Sequence, residues 1–184
     1  MTSADLSSTG ITSVGTYAFN NCFVLESITI PATVTDIGDS AFYACNHATE
    51  VNYLTAHFEG GKSKIFYALG KNGEGTTFTF GPNVTVVPSQ ILYGANATGT
   101  TYNNVTSIVF QGQVTEIGSQ ALCGCMKMTT IDLPDSLRVI GDNAFKGCSA
   151  LTSIEIPENV TSIGTSPKSE APTRPSDRWR RGWL

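Results

Sequence analysis

A 23-residue period constrains this 184-residue chain more than any other feature. Gly15 and Gly38 are 23 residues apart, and so are Gly118 and Gly141, and Gly141 and Gly164. The segments around them match: ITSVGTYAFNNC from Ile11, VTDIGDSAFYAC from Val34, VTEIGSQALCGC from Val114, LRVIGDNAFKGC from Leu137 and VTSIG from Val160. A unit this short cannot bury its own apolar face. It must stack on its neighbours, and at least about three units are needed for a stable core.

The middle of the chain joins the same template once insertions are allowed. One column runs Phe19, Phe42, Phe66, Leu92, Leu122 and Phe145, with steps of 23, 24, 26, 30 and 23. A second runs Ile28, Val51, Phe78, Ile108, Ile131 and Ile154, and a third lies two residues later: Ile30, Tyr53, Phe80, Phe110, Leu133 and Ile156. Six coils register. The longer steps place surface loops around GKNGEGTT and GANATGTTYNN.

The alternation in Thr152-Ser153-Ile154-Glu155-Ile156 predicts one short strand per coil with its isoleucines inward. Pro31, Pro134 and Pro157 follow at once, where no sheet donor is needed. The VTSIG segment crosses the back of the coil, and its glycine is expected to serve a turn of unusual backbone angle. The fold class is therefore an α/β-type repeat solenoid, strand-dominated, with short parallel strands on one face and loops or short helical turns on the other. Residues 1–9 read as a lead-in or truncated cap. Residues 10–164 form about six coils with insertions near 54–76 and 94–104, and residues 165–184 are a non-repeat basic tail with a disordered composition.

The pattern Cys-x-x-Leu-x-x-Ile-x-Ile-Pro-x-x-Val-x-x-Ile-Gly-x-x-Ala-Phe, running from about Gly10 to Gly164, resembles the BspA-like (bacterial surface protein) class of leucine-rich repeat. The resemblance implies extracellular or cell-surface proteins that bind other macromolecules, often in adhesion, and it implies no reaction. The chain differs from such proteins in showing no signal peptide and no wall-sorting or membrane segment. The expected setting is the cell surface or secretion as part of a longer precursor.

Composition narrows the partners. Residues 1–164 carry 6 basic and 13 acidic side chains, a balance of −7, while residues 165–184 carry 5 basic and 2 acidic ones. An acidic body without a basic stripe argues against nucleic acid. No apolar run reaches the length of a membrane-spanning helix. The expected partner is a protein or other cell-surface macromolecule, with no cofactor and no metal. The last coil lacks a polar cap, which offers an edge for self-association.

Candidate chemistry is sparse. Cys22, Cys45, Cys125 and Cys148 share a column with Leu69 and Ala95, so they read first as buried thiols, with a disulfide between neighbouring coils as the alternative. Cys123 reads as a turn residue, because Cys-x-Cys alone lacks the four ligands of a metal site. His47 and His57 stand without a nucleophile motif around them. Asp39 and Asp142 repeat one slot, as Asp132 and Glu155 repeat another, the pattern of a solvated solenoid face. No catalytic set emerges.

The outward strand positions offer more. Thr29, Asn52, Thr79, Val109, Asp132 and Glu155 line one face, and the insertions add Tyr93 and Tyr102. These are the candidate partner-binding residues, although the face has no aromatic anchor of the kind that dominates tight interfaces. Tyr67 belongs with the loop tyrosines or packs on its own coil. The function expected is a non-catalytic, adhesin-like interaction module that binds host matrix or cell-surface macromolecules. The alternatives are a spacer within a larger surface protein and, last, the repeat portion of an extracellular enzyme.

Overall fold

The computed structural model describes residues 2–56, 58, 64–94, 103–165 and the backbone of 179–181. In chain order its strands are β1 (Ser3–Asp5), β2 (Ser13–Val14), β3 (Ser27–Ile30), β4 (Asp36–Ile37), β5 (Glu50–Tyr53), β6 (Thr76–Phe80) and β7 (Val86–Val87). There follow β8 (Val105–Phe110), β9 (Glu116–Ile117), β10 (Val139–Ile140), β11 (Ile154–Ile156), β12 (Ser162–Ile163) and β13 (Trp179–Arg181). All pairings are parallel. The chain is a strand-dominated solenoid, with no helix among the described residues.

Two ladders carry it. On the front, β1, β3, β5, β6 and β8 form a five-stranded sheet, and β11 pairs with β13. On the back, where helical turns were one expectation, two-residue strands pair instead: β2 with β4, and β7, β9, β10 and β12 in a row. Ile28, Val51, Phe78 and Ile108 are direct partners across the front ladder. The column read through insertions is thus the true register, with a shift between Thr76 and Thr77 absorbing the irregularity.

One expectation fails at the fifth coil. Residues 129–133 form no strand, although Ile131 faces inward at 8% exposure. Alternation reports which side chains are buried. It does not report whether the neighbouring backbone comes within hydrogen-bonding distance.

The core is continuous from Ala4 to Ile156, and its largest side chains include Tyr53, Phe42, Phe66, Phe78, Phe80 and Phe145. Phe19, Phe42 and Phe66 stack in a row, with ring centroids 5.0 and 5.2 Å apart. That spacing is close to the 4.7–4.9 Å between paired strands, so one repeat position yields one stack.

The turn chemistry corrects the sequence reading of the repeated glycine. Gly15, Gly38, Gly118, Gly141 and Gly164 are not among the positive-φ residues. The left-handed positions lie two and six residues later: Tyr17 and Asn21, Ser40 and Ala44, Gln120 and Gly124, Asn143 and Gly147. Each non-glycine in that region costs about 1–2 kcal/mol. Coil-to-coil bonds hold these segments in place, with Phe19, Phe42, Leu92 and Leu122 amides donating to the carbonyls of Ala41, Ile65, Ala121 and Ala144 at 2.7–3.0 Å. The glycines serve packing instead. A Cβ on Gly38 would lie 2.3 Å from the Thr16 amide nitrogen, and one on Gly141 would lie 2.6 Å from that of Ser119.

Candidate interaction surface

The front ladder brings four predicted face residues into one row. Thr29 pairs with Asn52, Asn52 with Thr79 and Thr79 with Val109, and Asp5 on β1 extends the row beside Thr29. Accessibility within it is uneven. Val109 is 38% exposed and Thr79 only 7%. The Asn52 amide donates to the Glu50 carboxylate at 2.9 Å, so two neighbouring outward side chains of β5 are tied together. Asp132 is exposed but sits in the unpaired fifth coil, and Glu155 is exposed on β11. The row from Thr29 to Val109 is therefore continuous, and the last two candidates stand apart from it.

The predicted tyrosines divide. Tyr93 is half-buried at the start of the second insertion, and Tyr102 lies outside the described residues. Tyr67 packs on its own solenoid: its ring stacks on Tyr43 at 5.2 Å, and the Lys64 ammonium lies over the Tyr67 ring, 5.5 Å from its centroid. Sequence reading missed Tyr17, Phe23 and Val24, which are 58%, 51% and 61% exposed at the N-terminal coil.

Several of the groups that could carry chemistry are engaged structurally. Asp142 accepts from both the amide and the hydroxyl of Thr165, at 2.6 and 2.9 Å, which bridges it to the next coil. The His47 Nδ1 meets the Phe23 carbonyl, and His57 lies outside the described residues. All five cysteines are free, four of them buried and Cys22 half-buried. Cys45 and Cys148 donate to the carbonyls of Phe19 and Leu122 at 3.4 and 3.3 Å. Among the described residues no group of three or more His, Cys, Asp or Glu side chains is arranged to hold a metal ion.

A match over most of the chain decides the family. The model of the BspA-type leucine-rich repeat region matches residues 1–104 and 99–167, in six copies. The chain belongs to that family. Two crystal structures share its fold. A leucine-rich repeat protein from Bacteroides ovatus is 23% identical with a TM-score of 0.55, over 83% of this chain and 37% of that one. A leucine-rich repeat protein from T. pallidum is 23% identical with a TM-score of 0.56, over 85% of this chain and 68% of that one. No curated protein matches the sequence.

Two features of this BspA-type chain carry predictions. Asn103, buried beside the second insertion, accepts from the Leu69 amide at 3.1 Å and donates to the Leu92 carbonyl at 3.0 Å. Asn103→Ala removes the donor to the Leu92 carbonyl and leaves the Leu69 amide only its 3.3 Å bond to the Phe66 carbonyl, and it is expected to cost about 1–3 kcal/mol, read as a lower urea midpoint. An unchanged midpoint would show that the insertion is held by other bonds.

The thiols predict alkaline lability. Burial pushes Cys45 up to about 12 from an ordinary 9.0, and Cys123 up to about 11. A hydrogen bond that the Cys125 thiol donates to Cys148, then burial, holds Cys125 well above its usual range. Above pH 9 the unfolded chain sheds these protons while the folded chain keeps them. Stability present below that pH is therefore lost as pH rises toward 12. At about 1.4 kcal/mol per thiol for each pH unit, Cys45 alone costs about 1.4 kcal/mol at pH ~10, and Cys125 acts in the same direction. Urea midpoints at pH 8 and 10 measure this. Alanine at Cys45 and Cys125, the residue that position 95 carries in the same column, shrinks the difference to the share that Cys123 contributes.

Proposed function

We propose that this chain is a non-catalytic, adhesin-like interaction module, exposed at the cell surface or secreted, that binds protein or other cell-surface macromolecules. One observation carries the reading: Thr29, Asn52, Thr79 and Val109 are aligned on paired parallel strands, forming an extended outward row rather than a cleft around reactive groups. Membership of the BspA-type family supports it. Solenoids use such rows as binding surfaces, and specificity comes from side chains held at the strand spacing. Tyr93, half-buried at the start of the second insertion, extends the contact area beyond the row.

Binding of the purified protein to a panel of immobilised matrix proteins tests this. Saturable binding that weakens about tenfold or more on Val109→Asp or Tyr93→Ala is the expected result. Uniform failure across the panel would favour the spacer reading, to which the lack of an exposed aromatic on the row lends weight. Surface biotinylation of source cells tests the location, and a protein protected from the reagent would overturn it.

A further inference from the structure

The cysteine column pairs its members across neighbouring coils. Cysteines fill that slot in the first and second coils, Cys22 and Cys45, and in the fifth and sixth, Cys125 and Cys148, with Leu69 and position 95 between them. Each of these thiols therefore has one thiol neighbour along the column. Neighbouring coils lie about 4.8 Å apart at the strand spacing, inside the roughly 4.4–6.8 Å Cα range of disulfides. Phe19 and Phe42, in the same two turns as Cys22 and Cys45, show that spacing directly, with ring centroids 5.0 Å apart. The Asn21 amide donates to the Tyr43 carbonyl at 2.8 Å, as the Gly124 amide does to Lys146, so the residue before each leading cysteine is tied to the next coil.

The later sulfur of each pair is aimed back at the earlier coil. The Cys45 thiol donates to the Phe19 carbonyl at 3.4 Å, the same oxygen that accepts from the Cys22 amide at 3.4 Å. Cys148 repeats this on the Leu122 carbonyl at 3.3 Å, which accepts from the Cys125 amide at 3.3 Å. In that second pair the Cys125 thiol also donates to Cys148, so the two side chains meet. The pairs share a geometry and differ in access. Cys45, Cys125 and Cys148 are at most 1% exposed, whereas Cys22 is half-buried beside Phe23 and Val24, which are 51% and 61% exposed. Of the two pairs, only the first has a member that a dissolved reagent reaches.

We propose that Cys22 and Cys45 are a redox-sensitive pair that closes to a disulfide between the first and second coils by exchange with a small-molecule disulfide such as oxidised glutathione. Cys22 loses its proton and its thiolate attacks one sulfur of that disulfide. The S–S bond breaks, and the first glutathione leaves as a thiolate and is protonated. Cys45 then gives its proton to solvent, and its sulfur attacks the Cys22 sulfur and releases the second glutathione, which is protonated in turn. Two cysteine thiols are oxidised, and one disulfide is reduced to two thiols. The Cys22 backbone amide reaches the Cys45 sulfur and stabilises its thiolate as it forms. Disulfide Cβ atoms sit about 3.8 Å apart, so closure draws the two turns slightly together. The first coil is free to follow, since nothing lies within 4 Å of a Cβ placed at Gly15 on its outer side. The pair acts in this way whether or not the chain is a binding module.

Equilibration of the reduced full chain with oxidised glutathione, without denaturant, tests the proposal, with the product mapped by mass spectrometry of its unreduced peptides. The expected result is a Cys22–Cys45 cross-link that dithiothreitol reverses. Cys45→Ala stops the reaction at a glutathione adduct on Cys22, and Cys22→Ala leaves Cys45 a thiol. Alanine stands in the same column at position 95, and thermal melts confirm that both variants fold. Cys125 and Cys148, with the same geometry and no accessible member, close at least about tenfold more slowly. Five thiols remaining at equilibrium, a glutathione retained on Cys22 beside a free Cys45, or a cross-link that forms only in urea would overturn the proposal. So would equal rates of closure for the two pairs.

Discussion

Gly38→Ala is expected to destabilise the protein by about 3 kcal/mol, whereas Gly15→Ala leaves it unchanged or stabilises it by about 0.4–1 kcal/mol. The two glycines hold the same place in successive repeats, so local sequence offers no reason for a difference. At Gly38 an added Cβ would sit 2.3 Å from the Thr16 nitrogen and 2.7 Å from the Gly15 carbonyl carbon. Both are backbone atoms and cannot rotate away, so two coils must move apart and their ladder bonds lengthen. At Gly15 nothing lies within 4 Å, and neither residue requires a positive φ. There alanine mainly restricts the unfolded chain, which favours folding. Urea midpoints of the two variants decide the matter. Equal losses would mean that the glycine is needed for its backbone angle, and the packing explanation would fall.

Phe42→Ala is expected to cost about 3–5 kcal/mol, as large buried aromatics do when truncated. Phe42 is fully buried between Phe19 and Phe66, so its removal opens a cavity and breaks two ring stacks at once. For a chain of this size that corresponds to a fall in melting temperature of roughly 6–20 °C. Phe19 ends the stack and is only partly buried, so Phe19→Ala costs clearly less. Phe145→Ala, at 1% exposure, belongs with Phe42. A melt of Phe42→Ala that matched the parent would mean that the column is not the core.

The candidate surface was legible in part. Period and alternation placed Thr29, Asn52, Thr79 and Val109 on one row, and the strand pairings put them there. They could not show that Thr79 is nearly covered, because its neighbours across the ladder decide that. Nor could they show that Asp132 leaves the ladder, since its coil keeps the inward pattern without the strand.

What the sequence alone determined is the number of coils, the registered columns and which side chains face inward. These follow from a short period and from burial, which act on each residue type in the same way in every repeat. What only the tertiary structure decided is where one backbone approaches another. That set the glycines to packing at Gly38 and Gly141, moved the left-handed angles to Tyr17, Ser40 and their counterparts, and left residues 129–133 without a strand. The physical reason is that spacing between coils is a sum of non-local contacts, including the insertions, and no window of one repeat contains it.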